Sequence, residues 1–312
     1  LMAEHLNPLA DLLLARDIAP VIWADMPLKS PSMAERLDRR IIMAYWNYGS
    51  ADDCGKTAEK DAFNGASEFR RIGFRVWECG AGRSYGDSVF TPRYDLHLDN
   101  FDRWLSLAAK GVTEATLFRS WSVHLYPFSL QEPNFARAKF WNLTPDAFEK
   151  KFSSRRYGKG GARFFDTVRM ISPPAPLSRP VDLGYNQINQ KSPIDTLAPL
   201  AKTPVIPEQA RELLRNYGAA AEIFRHIPGA EDLQFAARHL IFRAKLSLLL
   251  SGDGSASLRK EVECELPELE PLTRNTLNER FLHASAGLAA DNLFLPVKEA
   301  LRKHSEDLAA AP

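Results

Sequence analysis

Trp23 and Asp25 alternate at the end of the apolar run "VIWADM". On an extended strand, alternate side chains share a face, so an indole and a carboxylate point the same way. Indole covers the apolar face of a pyranose and carboxylates bind hydroxyls, which makes a sugar site the functional reading. A core tryptophan beside a loop aspartate is the structural alternative. The theme returns in "IIMAYWNYG", where Trp46 and Tyr48 alternate onto one side. In "FRVWECG", Trp77 and Glu78 are adjacent, so only one of them faces that side, and Glu78 enters as an alternative acid. The loop "GAGRSYGDS" carries Tyr85 and Asp87, but its glycines lack the spacing of a dinucleotide fingerprint. "LFRSWSVHLY" completes the series with Trp121.

These residues need strands to aim them. The first half of the chain alternates helical and extended patterns. A helix over about 3–16 leads to "APVIWADM", and the short helix "SMAERLDRR" leads to "RIIMAYWNYG". "AFNGASEFRRIG" leads to "FRVWECG", and "LDNFDRWLSLAAKG" leads to "VTEATLFRSW". This alternation predicts an α/β fold whose four strands pair in chain order as a parallel sheet, with helices outside it. Gly73 and Gly111 fall where helices end, as C-cap glycines do. Trp23, Trp46, Trp77 and Trp121 each fall at or near a strand's C-terminal end, where parallel α/β barrels carry their sites. Trp104 sits inside a helix with Phe101, Leu105 and Ala108 and reads as core.

Beyond residue 149 the pattern changes. Residues 150–206 hold "GKGGARFF", "SPPAPLSRP" and "TPVIP" and read as a long Pro/Gly-rich connection strapped over the first domain. Residues 207–312 read as about three long helices forming a small bundle. A net charge of +1 over 312 residues implies no nucleic-acid or acidic-membrane partner. Cys54, Cys79 and Cys264 are odd in number and far apart, which argues against a disulfide framework and gives no metal-ligand spacing. No cofactor or metal is expected. The chain opens on Leu1 within a helical pattern, so it reads as part of a longer protein. The lack of a signal peptide then says little about compartment, with the cytoplasm as default.

Taken in order, the strand ends resemble the second half of the catalytic barrel of family 20 glycoside hydrolases, in particular the hexosaminidase D-like β-N-acetylhexosaminidases. The likeness lies in Trp23-Ala24-Asp25-Met26, in Trp46 with Tyr48, in His97-Leu98-Asp99-Asn100 opening a helix, and in Arg119-Ser120-Trp121. It spans about residues 5–145. It implies a partial (β/α)8 TIM-type barrel over 1–149, made of the last four strand–helix units, with the helical region behind it. It also implies a pocket for a terminal N-acetylhexosamine lined by Trp23, Asp25, Trp46, Tyr48, Trp77, Tyr85, Asp87 and Trp121. His97 and Asn100 are expected to fix a loop–helix junction.

The family cleaves by substrate-assisted retention, with an adjacent Asp-Glu pair as orienter and general acid. This sequence contains no Asp-Glu dipeptide. The resemblance places that pair upstream of Leu1, so the catalytic residues are not identified in these 312 residues, and the isolated chain is expected to be inactive. Two alternatives stand beside this reading. One is a non-catalytic carbohydrate-binding or scaffolding protein; the other is an enzyme of different chemistry using Glu78 and Asp25. An open half-barrel is also expected to self-associate through its sheet edges.

Overall fold

The computed structural model describes residues 1–48, 64–83, 87, 90–120, 128–172, 207–253, 255–280 and 283–310. The fold is α/β, mostly helical, with a small parallel sheet. Two compact units are present. The first comprises Leu1–Ser84, Tyr94–Trp121 and Asn134–Asn142; the second comprises Tyr85–Arg93, Ser122–Pro133 and Leu143–Pro312.

In the first unit, α1 (Met2–Leu14) precedes β1 (Val21–Trp23), and α2 (Asp25–Lys29) and α3 (Pro31–Arg36) precede β2 (Ile42–Trp46). Then follow α4 (Asn64–Arg71), β3 (Arg75–Cys79), β4 (Ala81–Arg83), α5 (Tyr94–Ala109), β5 (Ala115–Thr116) and β6 (Arg119–Ser120). The main sheet runs β1-β2-β3-β5, parallel throughout. The expected chain order of the four strands is therefore present. The last of them is divided: β5 pairs with β3, whereas β6 pairs in parallel with β4 as a separate sheet. The backbone bonds Leu117 N to Glu78 O (2.8 Å) and Arg119 N to Gly80 O (3.1 Å) carry the ladder across the break.

Register explains which side chains are buried. Ile22, Met43 and Val76 lie side by side across β1, β2 and β3, as do Tyr45 and Glu78 one step further along. This face packs with Phe69, Phe74, Trp104 and small residues of α1 to form the core. In α1 the core positions are Ala3, Leu6 and Ala10, at helical spacing. Leu9 of the same helix is exposed. Gly73 (φ 98°) and Gly111 (φ 70°) both adopt the left-handed conformation that ends α4 and α5.

The second unit corrects the sequence reading of 150–206. Residues up to 172 are not a strap. After α6 (Glu132–Lys139), α7 (Pro145–Tyr157) and α8 (Phe164–Ile171) bracket a 3-10 turn at Gly158–Arg163. Phe148, Phe152, Tyr157, Phe164 and Phe165 form a continuous aromatic core, with Tyr157 stacked on Phe164 at 4.6 Å and Phe148 edge-on to Phe165 at 5.8 Å. Thr144 caps α7 by accepting from Ala147 N. Residues 173–206, the rest of the expected connection, lie outside the described residues. The C-terminal region holds four long helices where three were expected: α9 (Pro207–Arg225), α10 (Glu231–Leu248), α11 (Ala256–Arg280) and α12 (His283–Ala310). Among the described residues no helix is long and apolar enough to cross a membrane.

Helix α10 is buried on nearly all sides and carries His239 into the core. Its ring stacks on Phe90 at 4.3 Å and meets Phe235 edge-on at 4.7 Å. Thr273 Oγ1 donates to Leu269 O, so its bond to His239 at 2.8 Å is donated by Nε2. Burial, reinforced by Arg243 and Arg238, holds the imidazole pKa well below its usual value. The unfolded histidine takes up a proton near pH ~6.5 while the folded one stays neutral. Stability is therefore expected to fall as pH drops below that point and to be insensitive to this residue above it. Urea melts between pH 5 and 8 check this. The pH slope should flatten in His239→Gln, and an identical slope in both proteins would contradict the assignment.

Candidate functional site

Three elements of the first unit converge on one cluster. Trp23 ends β1, Trp46 ends β2, Tyr48 lies two residues beyond it, and Arg119 opens β6. Trp46 and Tyr48 stack at 5.2 Å with 22° between their planes. The Arg119 guanidinium lies 4.2 Å over the Trp23 ring and 5.3 Å from the centre of Tyr48, and its Nη2 donates to the Tyr48 hydroxyl. Cation–π contacts of this kind contribute about 0.5–2 kcal/mol each, depending on desolvation. One arginine thus ties the ends of β1 and β2 to β6. The two indoles remain 48 % and 43 % exposed, which large hydrophobic rings avoid when they serve only as core.

Register settles which of Trp77 and Glu78 accompanies them. Trp23, Ala44, Trp77 and Ala115 lie in one row across the sheet. Trp46 follows two residues along the same face, beside Cys79. Trp77 therefore shares the face of Trp23 and Trp46 and is half-buried. Glu78 lies on the opposite face, fully buried, accepting from Thr113 Oγ1 at 2.6 Å and from Thr116 Oγ1. Burial raises its pKa, against the pull of the two threonine hydroxyls. It is a satisfied core carboxyl rather than an acid beside the indoles.

Asp25 also departs from expectation. The strand stops at Trp23, and Asp25 is the first residue of α2, so strand alternation does not align the two side chains. Asp87 belongs to the second unit, is buried, and accepts from Arg93 N at 3.0 Å just ahead of α5. That is a loop-fixing bond. Tyr85 and Trp121 lie outside the described residues. Burial pushes the Cys79 thiol up to about 12, against the opposing charge of Arg119, so it offers no thiolate at neutral pH. Among the described residues no group of three His, Cys, Asp or Glu is placed to hold a metal.

Arg119 is the member of the cluster that sequence reasoning passed over. In the sequence it stands only as the residue before Ser120-Trp121. The available signal was its place in the fourth extended segment, in line with three strand-end tryptophans.

No protein-family model matches the chain, and no curated protein matches it.

Proposed function

We propose that the Trp23, Trp46, Tyr48 and Arg119 cluster, with Trp77 beside it, binds a pyranose ring, and that the chain is the sugar-binding portion of a glycoside hydrolase-like (β/α)8 fold. One observation carries this reading: two half-exposed indoles stand at the carboxyl ends of neighbouring parallel strands, with Arg119 over Trp23 and bonded to Tyr48, which in turn stacks on Trp46. Carboxyl ends of parallel strands are where α/β barrels place ligands. Indole faces suit the C–H faces of a sugar, and the guanidinium and phenol supply polar partners at their rim.

The resemblance to family 20 β-N-acetylhexosaminidases names the ligand class as a terminal N-acetylhexosamine. The sequence contributes no Asp-Glu dipeptide, and Glu78 faces the core. The proposal therefore assigns these residues binding and not cleavage. The same observation suits a non-catalytic carbohydrate-binding protein, which is the second reading. In both, the outer strands of the sheet offer edges for self-association. A tryptophan-fluorescence titration with N-acetylglucosamine tests the site. Saturable change is expected, and Trp23→Ala should weaken binding by about tenfold, the scale of one lost aromatic contact. Unaltered affinity in that variant would remove Trp23 from the site.

A further inference from the structure

The stacked Trp46–Tyr48 pair flanks a residue whose side chain is not part of the cluster. Asn47 is 9 % exposed, and its carbonyl oxygen receives two side-chain donors from α5. Asn100 Nδ2 donates to it at 2.9 Å and Trp104 Nε1 at 3.3 Å. The two donors are four residues apart, one turn of α5, and both are fully buried. The Asn47 backbone N–H donates in turn to Cys79 O at 3.4 Å, extending the β2–β3 ladder one residue past Trp46. Asn47 is thus held at both its N–H and its C=O, while the residues on either side carry the stacked rings.

Gly80 leaves room for the close approach of α5. A Cβ there would lie 3.0 Å from Asn100 Oδ1 and 3.2 Å from Trp104 Cδ1. Such distances are tighter than ordinary van der Waals contact, so the Asn100 and Trp104 side chains would have to give way slightly. The break between β3 and β4 therefore admits the two donors to the end of β2.

We propose that Asn100 and Trp104 are positioning residues of the aromatic cluster. They clamp the Asn47 carbonyl, fix the chain's exit from β2, and so set the stacking of Trp46 on Tyr48 and the placement of Tyr48 under Arg119. The consequence for ligand binding rests on the sugar-site reading above; the clamp itself does not. An amide hydrogen bond buried in a core stabilises wherever it stands. What distinguishes this pair is that their shared acceptor lies between two ligand-facing rings.

The test uses the full chain labelled with 5-fluorotryptophan, with the Trp46 fluorine resonance assigned from Trp46→Phe. Asn100→Ala removes one donor. Trp104→Phe removes the other while keeping an aromatic ring in the core, and serves if Asn100→Ala fails to fold. In each folded variant, without sugar, the Trp46 resonance is expected to shift or broaden while that of exposed Trp141 stays in place. Affinity for N-acetylglucosamine should fall about three- to tenfold, the scale of one hydrogen bond. Lower stability with an unmoved Trp46 resonance would overturn the proposal, because it would make the bonds structural only. If wild-type protein binds no N-acetylglucosamine but Trp46 moves in the variants, the clamp is upheld and the sugar reading fails.

Discussion

The 312-residue chain is expected to bind N-acetylglucosamine yet release no chromophore from a chromogenic N-acetylglucosaminide. Cleavage needs an acid for the glycosidic oxygen and a carboxylate to orient the acetamido group. General acid catalysis alone contributes about 10²- to 10⁴-fold, and positioning of the internal nucleophile contributes separately. The described carboxyl nearest in sequence to the strand-end tryptophans is Glu78, which faces the core and is engaged by two threonines. A chromogenic assay at pH 4–8 checks this. Turnover abolished by Glu78→Gln would contradict the account and require a different chemistry, with the β3 end rearranged to expose that carboxyl.

Trp104→Ala is expected to cost about 3–5 kcal/mol of stability, the range for truncating a large buried aromatic. Trp104 is fully buried in the first unit, with its ring edge-on to Tyr45 at 6.0 Å and 74°. The indole also donates to Asn47 O, so truncation removes a donor as well as volume. Denaturant unfolding followed by near-ultraviolet circular dichroism measures the loss. A cost below about 1 kcal/mol, the scale of an ordinary surface substitution, would mean that the ring does not anchor the sheet to α5.

Much of the first unit was legible because periodicity and punctuation agreed. β1 and β2 end in tryptophans, although β3 runs on past Trp77 to Cys79; helices end in Gly73 and Gly111, and the alternation implies the parallel order that β1, β2, β3 and β5 adopt. Trp46 and Tyr48 were paired correctly by position, although Tyr48 lies just beyond the strand. Asp25 was misread because "VIWADM" looks extended to its end, whereas α2 starts at Asp25 and breaks the alternation. Adjacent Trp77 and Glu78 could not be oriented without the register of β2, which puts Glu78 beside core Tyr45.

Arg119 was hidden for a different reason. Its role comes from contacts with residues 71 and 96 positions away, and no local pattern encodes those. The 145–172 segment was obscured by its glycines. "GKGG" suggested a loop, yet Phe148 and Phe152 lie one helical turn apart, and Phe164, Val168 and Ile171 repeat that spacing beyond it. The glycines form a tight turn between two helices that share an aromatic core.

The half-exposed indoles are proposed to form a sugar-binding face. Fluorine NMR of the 5-fluorotryptophan protein, titrated with N-acetylglucosamine, reads each indole separately. Saturable shifts are expected at Trp23 and Trp46, a smaller one at Trp77, and none at buried Trp104 or at Trp141. Shifts confined to Trp141, or no saturable shift at Trp23 and Trp46, would contradict this proposal.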